Sequence, residues 1–293
     1  MARTYLVTGG AGFIGSNFVH FLAEKRPGCG IVVLDKLTYA GNLESLADLM
    51  ERIVFLKGDI AVPEEAAMAF DAAGDEVCVV HFAAESHVDR SIESAAPFLR
   101  TNVEGTQVLL DLARSRGVVR FLHVSTDEVY GSLLEGEFAG EQHLLRPSNP
   151  YAASKAASDH LVSAAAHTHG LDVVITRCSN NFGPFQFPEK FVPLMIANAL
   201  EERPLPIYGD GLQQRDWIHV ADHCEALLQV LERGKAGTIY NVAGSCHRTN
   251  LEVARFLLAE LKRPETLLRH VADRPGHDRR YAPDAAQIRS ELG

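Results

Sequence analysis

The chain has 293 residues, 46% hydrophobic and 23% charged, with a net charge of −10 from 28 basic and 38 acidic residues. That length allows one large domain or a large and a small one, and the composition is ordinary for a soluble globular protein. The acidic balance argues against nucleic acid or an anionic membrane as a partner. Any anionic ligand must then be met by local cations and backbone amides.

The first residues run straight into a strand pattern with no secretory h-region, and no apolar run approaches membrane-spanning length, so a cytoplasmic location is expected. Strand-like runs follow at Tyr5–Thr8, Ile31–Leu34, Ile53–Leu56, Val77–Phe82, Phe121–Ser125 and Val173–Arg177. Helical patterns lie between them near Phe13–Glu24, Glu64–Ala72, Pro97–Ala113 and Tyr151–His169. This alternation predicts an α/β fold, a Rossmann-type doubly wound parallel sheet with helices on both faces. Beyond about Gly183 prolines become frequent and shorter strand-like pieces such as Thr238–Val242 appear. The expected division is residues 1–182 for the Rossmann unit and 183–293 for a smaller α/β unit. The chain stops at Gly293 just after an apparent helix start, so a missing last segment is expected. The five cysteines, Cys29, Cys78, Cys178, Cys224 and Cys246, show no C-x-x-C pair and read as reduced structural thiols. His167-Thr168-His169 reads as a solvated pair, and no metal site is expected.

Ligands of doubly wound sheets bind beyond the carboxyl ends of the strands. Thr8-Gly9-Gly10-Ala11-Gly12-Phe13-Ile14-Gly15 leaves the first strand there and opens a helix. Its glycines permit a tight turn and close approach of a pyrophosphate to the helix N-terminus. Asp35, about twenty residues on, is placed to accept from ribose hydroxyls and to repel a 2′-phosphate. That favours NAD over NADP, with Lys36 alongside as the opposing feature. Asp59 ends the third strand, where an adenine-edge contact competes with a plain turn aspartate. Ala83 and Ala84 end the fourth, small enough to let a cofactor pass. Glu85 and His87 are equally readable as site residues or loop polar groups, and His81 and His123 as core residues.

The run Ser125-Thr126-Asp127-Glu128-Val129-Tyr130-Gly131, followed by Tyr151-Ala-Ala-Ser-Lys155, carries the chemistry. Tyr151 and Lys155 share one helix face at i, i+4. The ammonium is expected to lower the phenol's pKa, so that Tyr151 can take a proton from a sugar hydroxyl. Adjacent Asp127 and Glu128 repel, which should split their pKa values into a proton donor and an acceptor. Oxidation alone needs no such pair.

Together these motifs resemble the extended short-chain dehydrogenase/reductase family, in its nucleotide-sugar branch of dTDP-glucose 4,6-dehydratases. The resemblance extends through Asp35-Lys36-Leu37-Thr38-Tyr39-Ala40-Gly41-Asn42, Ala84-Glu85-Ser86-His87-Val88-Asp89-Arg90-Ser91 and Arg177-Cys178-Ser179-Asn180-Asn181-Phe182-Gly183-Pro184. It continues through Phe187-Pro188-Glu189-Lys190, Gln214-Arg215-Asp216-Trp217-Ile218-His219-Val220 and Asp273-Arg274-Pro275-Gly276-His277. It implies a lyase that recycles NAD and acts on dTDP-glucose: oxidation at C4, loss of water across C5 and C6, and return of hydride to C6. Tyr151, Lys155 and Thr126 would serve the oxidation, Glu128 would be the C5 base and Asp127 the acid for the departing hydroxyl.

The resemblance further implies NAD contacts from Gly9, Gly12, Phe13, Ile14, Gly15, Asp35, Lys36, Thr38, Asp59, Ile60, Ala83, Ala84, Thr101, Tyr151, Lys155 and Asn181. Substrate contacts would come from Ser86, Thr126, Asn180, Lys190, Arg215, Asn250 and His277. It also implies a homodimer through Pro97–Ala113 and Tyr151–His169. Alternatives are a dehydratase for UDP- or CDP-glucose, an epimerase, which needs no acid–base pair, and an idle NAD-binding regulator. The segment from Gly131 to Pro150 is short against many family members.

Overall fold

The structure, a computed structural model, describes residues 3–293. In chain order, β1 (Thr4–Thr8), α1 (Phe13–Lys25), β2 (Gly30–Asp35), β3 (Val54–Lys57), α2 (Pro63–Ala73) and β4 (Val77–His81) form the first half of the large sheet. There follow α3 (Val88–Glu93), α4 (Ala96–Phe98), α5 (Thr106–Arg116), β5 (Arg120–Thr126), α6 (Pro150–His169) and β6 (Val173–Cys178). The remainder comprises β7 (Asn180–Phe182), α7 (Phe191–Leu200), β8 (Leu205–Tyr208), β9 (Gln214–His219), α8 (Val220–Arg233), β10 (Ile239–Val242), β11 (His247–Thr249), α9 (Asn250–Glu260), β12 (Leu268–Val271) and α10 (Ala286–Leu292).

Seven parallel strands lie in the order β3-β2-β1-β4-β5-β6-β10. Both faces are covered, which is why these strands are apolar at nearly every position. Tyr5, Val7, Ile31 and Val33 pack on one side with Phe18 and Leu22 of α1 and Leu227 and Leu231 of α8. Leu6, Val32 and Leu34 point the other way, towards Phe70, Leu109 and Val162 of α2, α5 and α6. Burying each such side chain stabilises the fold by roughly 1.5–3 kcal/mol. The strand order reverses between β1 and β4, opening a crevice beyond their carboxyl ends.

A three-stranded sheet (β11-β9-β7) and the parallel pair β12-β8 make a smaller layer, with α7 and α9 around Met195, Ala199, Leu205 and Leu258. In space the two units interleave along the chain. Residues 220–242 and 286–292 return to the large sheet: β10 pairs with β6, and α10 packs on β10 and α8.

The helix expected over Pro97–Ala113 is present and its backbone is helical throughout, but it is not α-helical along its whole length. A π-helical segment, Leu99–Gly105, separates α4 from α5. The wide turn coincides with Asn102, which is buried and hydrogen-bonded inward, and Gly105, where a Cβ would stand 2.7 Å from Ile60. Helical periodicity alone does not register one extra residue per turn.

Candidate active site

The loop after β1 is shaped by close approach. Gly9 has φ +72°, and a Cβ there would lie 2.6 Å from the Ala83 nitrogen. A Cβ on Gly15 would overlap the Gly9 carbonyl, so α1 packs directly on the loop. Gly12 caps α1, yet no side chain bonds the helix end, and a Cβ on Gly12 would meet only the Gly9 oxygen within 4 Å. The first-turn amides therefore face an open cradle of phosphate size, favourable to negative charge.

Asp35 sits beside it, buried, with Oδ2 accepting from the Ala11 amide at 2.9 Å and Oδ1 from the Leu37 amide at 2.8 Å. Burial pushes its carboxyl above the ordinary value, and the two amides pull it back. Each oxygen retains acceptor capacity for a ribose hydroxyl. Lys36 is engaged elsewhere, its Nζ 2.8 Å from Asp59 Oδ2, with Arg100 at 3.3 Å from the same oxygen. Burial raises the Asp59 carboxyl, but Lys36, the Ala61 amide and Arg100 outweigh it and hold it below the usual range. The cation that opposed the choice of NAD is thus neutralised by Asp59. Ile60, Thr38, Ala83, Ala84, Ser86 and Thr101 line the same crevice, as do Phe13 and Ile14.

At the other end, β5 delivers Thr126, whose Oγ1 accepts from the Glu128 amide at 3.3 Å and starts a 3₁₀ turn over Asp127–Tyr130. Asp127 is 3% exposed; its Oδ1 accepts from Thr126 Oγ1 at 3.4 Å, and its Oδ2 has no hydrogen-bond partner among the described residues. Burial first, and the adjacent Glu128 charge second, push its carboxyl well above the ordinary value. Burial also raises Glu128, but Arg215, Arg274 and Lys190 oppose that rise. The two neighbours therefore differ in environment: Asp127 is buried and feels one cation, Arg215, whereas Glu128 feels three.

Asn149 caps α6 through Oδ1 and the Ala152 amide at 2.9 Å, which sets the first-turn residue Tyr151 against Thr126. Lys155 follows one turn later and is buried, its Nζ donating to the Val124 carbonyl at 2.9 Å. Burial lowers the ammonium to about 8. The expected depression of the Tyr151 phenol is absent here. Burial, and after it the Glu128 charge, push the phenol well above its ordinary value, while the Thr126 hydroxyl opposes them.

Asn180, Asn181 and Lys190 line the crevice with Ser179 and Cys178. Asn181 is fixed by the Ser179 carbonyl at 3.0 Å and His223 Nδ1 at 2.8 Å. Lys190 donates to the Ser86 carbonyl at 3.1 Å. Arg215 is buried on the smaller layer, stacked 4.2 Å over the Tyr281 ring, with a guanidinium nitrogen donating to the Asp278 carbonyl at 3.0 Å. Asn250 and His277 stand outside the crevice lining: Asn250 opens α9, and His277 bonds Asp273 Oδ1 at 2.6 Å. His81 lies between Thr8 and Thr106 hydroxyls at 2.8 and 3.0 Å, a satisfied core histidine.

Four residues of consequence escaped the sequence reading. Asn102 receives the Glu85 amide at 2.9 Å, and its Nδ2 donates to the Glu85 carbonyl at 3.0 Å and to Ser154 Oγ at 2.8 Å. It thereby ties the loop after β4 to α6. Asn149 and Tyr281 border Glu128, and Asp278 stands behind Tyr281. The only hint of Asn102 in sequence is an amide inside an otherwise helical pattern; Asn149 is signalled as a helix cap by Pro150 after it, and Asp278 and Tyr281 come from a distant segment and leave no local signal.

The sequence profile of the GDP-mannose 4,6 dehydratase family matches residues 6–293. The chain is 50% identical over 294 residues to a dTDP-glucose 4,6-dehydratase of Streptomyces niveus, covering 98% of this chain and 86% of the relative. It is 51% identical over 311 residues to that of Xanthomonas campestris pv. campestris (strain B100), covering 99% and 88%. Among solved structures, DesIV of Streptomyces venezuelae, a dTDP-glucose 4,6-dehydratase with NAD and dTDP bound, superposes with a TM-score of 0.95 at 49% identity, covering 99% of this chain and 91% of that one. A UDP-glucose 4-epimerase of Thermus thermophilus in complex with NAD superposes at 0.91 with 32% identity, covering 98% and 92%. With matches of this extent and a crevice of this construction, the chain belongs to the GDP-mannose 4,6 dehydratase family, alongside the dTDP-glucose 4,6-dehydratases it resembles.

Proposed function

We propose that the protein is a dTDP-glucose 4,6-dehydratase: a hydro-lyase that oxidises C4 of the glucosyl unit, expels water across C5 and C6, and recycles its NAD. The observation that carries this reading is the unequal pair Asp127 and Glu128. Asp127, buried and with Oδ2 free of partners among the described residues, is the acid suited to protonate a departing hydroxyl. Glu128 is also raised by burial, but Arg215, Arg274 and Lys190 oppose that rise, which makes it the better candidate of the two for taking the C5 proton. An epimerase has no use for that division of labour.

The α1 cradle, Asp35, Asp59, Thr101 and Asn181 would hold the dinucleotide, as would the other crevice residues inferred from sequence. When bound, NAD would supply a positive ring charge and the hydride acceptor for C4 in its oxidised form and, once reduced, the hydride returned to C6. Tyr151 would accept the 4-hydroxyl proton as its phenolate, a form that the positive ring charge of bound NAD and the Lys155 ammonium one helical turn away favour, with Thr126 beside its oxygen. The C4 ketone acidifies the C5 proton, which Glu128 removes while Asp127 protonates the leaving 6-hydroxyl. Ser86, Asn180 and Lys190 flank the sugar, and Arg215 suits a diphosphate. Asn250 and His277 belong to the smaller layer that would carry the nucleotide, which assigns residues 183–293 mainly to substrate and 1–182 to NAD and chemistry. A homodimer through α4–α5 and α6 completes the reading, and a cytoplasmic location fits a nucleotide-sugar substrate.

The test is a panel of dTDP-, UDP- and CDP-glucose with 4-keto product followed for each. The expected result is fastest turnover of dTDP-glucose. Faster turnover of UDP-glucose would reject the base assignment. NAD binding without water loss from any of them would reject the enzyme.

A further inference from the structure

Glu128 is set deep in the crevice, and a sugar bound in front of it would close its access to solvent. Behind it the structure offers another way out. Tyr281 Oη lies 3.4 Å from Glu128 Oε2 and 2.7 Å from Asp278 Oδ2. Asp278 Oδ2 in turn receives Ser148 Oγ at 2.5 Å, and Ser148 is exposed. Tyr281 and Asp278 are 3% and 6% exposed. Backbone bonds fix the chain that carries them: the Tyr281 amide donates to the Gln214 carbonyl at 3.1 Å and the Ala139 amide to the Ala282 carbonyl at 3.0 Å. The Arg215 guanidinium clamps the phenol ring from above.

We propose that Tyr281 and Asp278 form a proton relay that connects the half-buried Glu128 to solvent at Ser148. The inference rests on the C5 chemistry assigned above. When Glu128 takes the C5 proton it becomes a neutral acid, which donates to the Tyr281 oxygen as the phenol passes its own proton to Asp278. Asp278 then releases a proton to water beside Ser148. Each hop breaks one O–H bond and forms another, Tyr281 stays neutral, and Glu128 is restored as a carboxylate. The reverse passage supplies the proton that C5 needs once hydride has returned to C6. Tyr281 and Asp278 are thus relay groups that act through Glu128.

Single-turnover reactions of protiated dTDP-glucose in D2O, quenched early, read the relay as deuterium at C5 of the product. The unaltered chain is expected to place solvent deuterium there. Tyr281→Phe keeps the ring under Arg215 but removes the hydroxyl, and should lower C5 deuterium by about threefold or more, because Glu128 then returns the proton it removed. Asp278→Asn, which interrupts the next hop, should do the same. A purely structural role would slow product formation without altering its isotope content. Product of unchanged C5 deuterium from both variants would overturn the relay while leaving the dehydratase reading intact. An unaltered chain that forms no keto product would overturn both.

Discussion

Tyr151, Asp127 and Glu128 can be separated by what their replacements stop. Tyr151→Phe removes the acceptor of the 4-hydroxyl proton, so turnover should fall by about 10²–10⁴-fold with no reduced-nicotinamide absorbance on the enzyme. Glu128→Gln leaves that first step available but stalls the next, and the same absorbance should build up on mixing with substrate. Near-normal turnover of either variant would remove the residue from its role. Asp127 also makes a prediction about stability. Its carboxyl is raised in the folded state, so between its ordinary and its raised value the native chain binds more protons than the unfolded chain. Stability from this group is therefore lost as pH climbs above the ordinary carboxyl range. Asp127→Asn should be more stable than the parent at pH 7 by about 1 kcal/mol or more, with the gain shrinking towards pH 4. Urea denaturation at the two pH values checks it, and a pH-independent gain would contradict the buried-acid account.

Helix ends and one distorted helix aim these groups. The α6 cap by Asn149 places Tyr151 against Thr126, and Thr126 itself caps the turn that carries Asp127 and Glu128. The π-helical segment turns Asn102 inward, where it satisfies both backbone groups of Glu85 and reaches Ser154. Asn102→Ala leaves that amide and carbonyl without partners and should destabilise by on the order of 2–4 kcal/mol. Because Thr101 and the Ala83-Ala84-Glu85 loop line the crevice, NAD affinity should weaken as well, measurable by titration calorimetry. Full retention of both stability and affinity would show that the segment is not a support. The six first-half strands and their helices were legible as elements because burial on both faces imposes unbroken apolar runs and 3.6-residue stripes. The π segment was not, since its cause is an inward amide whose partners lie 17 and 52 residues away.

At the scale of the whole molecule, the chain leaves the large sheet after β6 and comes back to it. α10 covers the edge strand β10: Tyr240 Oη donates to Glu291 at 3.0 Å, Arg233 to the Leu292 carbonyl at 3.0 Å, and Leu292 joins the core. Deleting residues 286–293 should destabilise the protein by about 2–5 kcal/mol and expose a sheet edge that promotes association. Thermal melts and light scattering would show both, and an unchanged melt with no aggregation would refute the covering role. The sequence by itself determined the parallel sheet, the glycine cradle, Asp35 and the Thr126–Lys155 set, because each depends on local periodicity or on fixed spacing along one element. Only the tertiary structure decided that Lys36 is spent on Asp59, that Lys155 bonds a carbonyl while the Tyr151 phenol is pushed upward, and that Tyr281 and Asp278 stand behind Glu128. Those outcomes depend on burial and on charges brought together from separate segments of the chain, and neither quantity is carried by any one stretch alone.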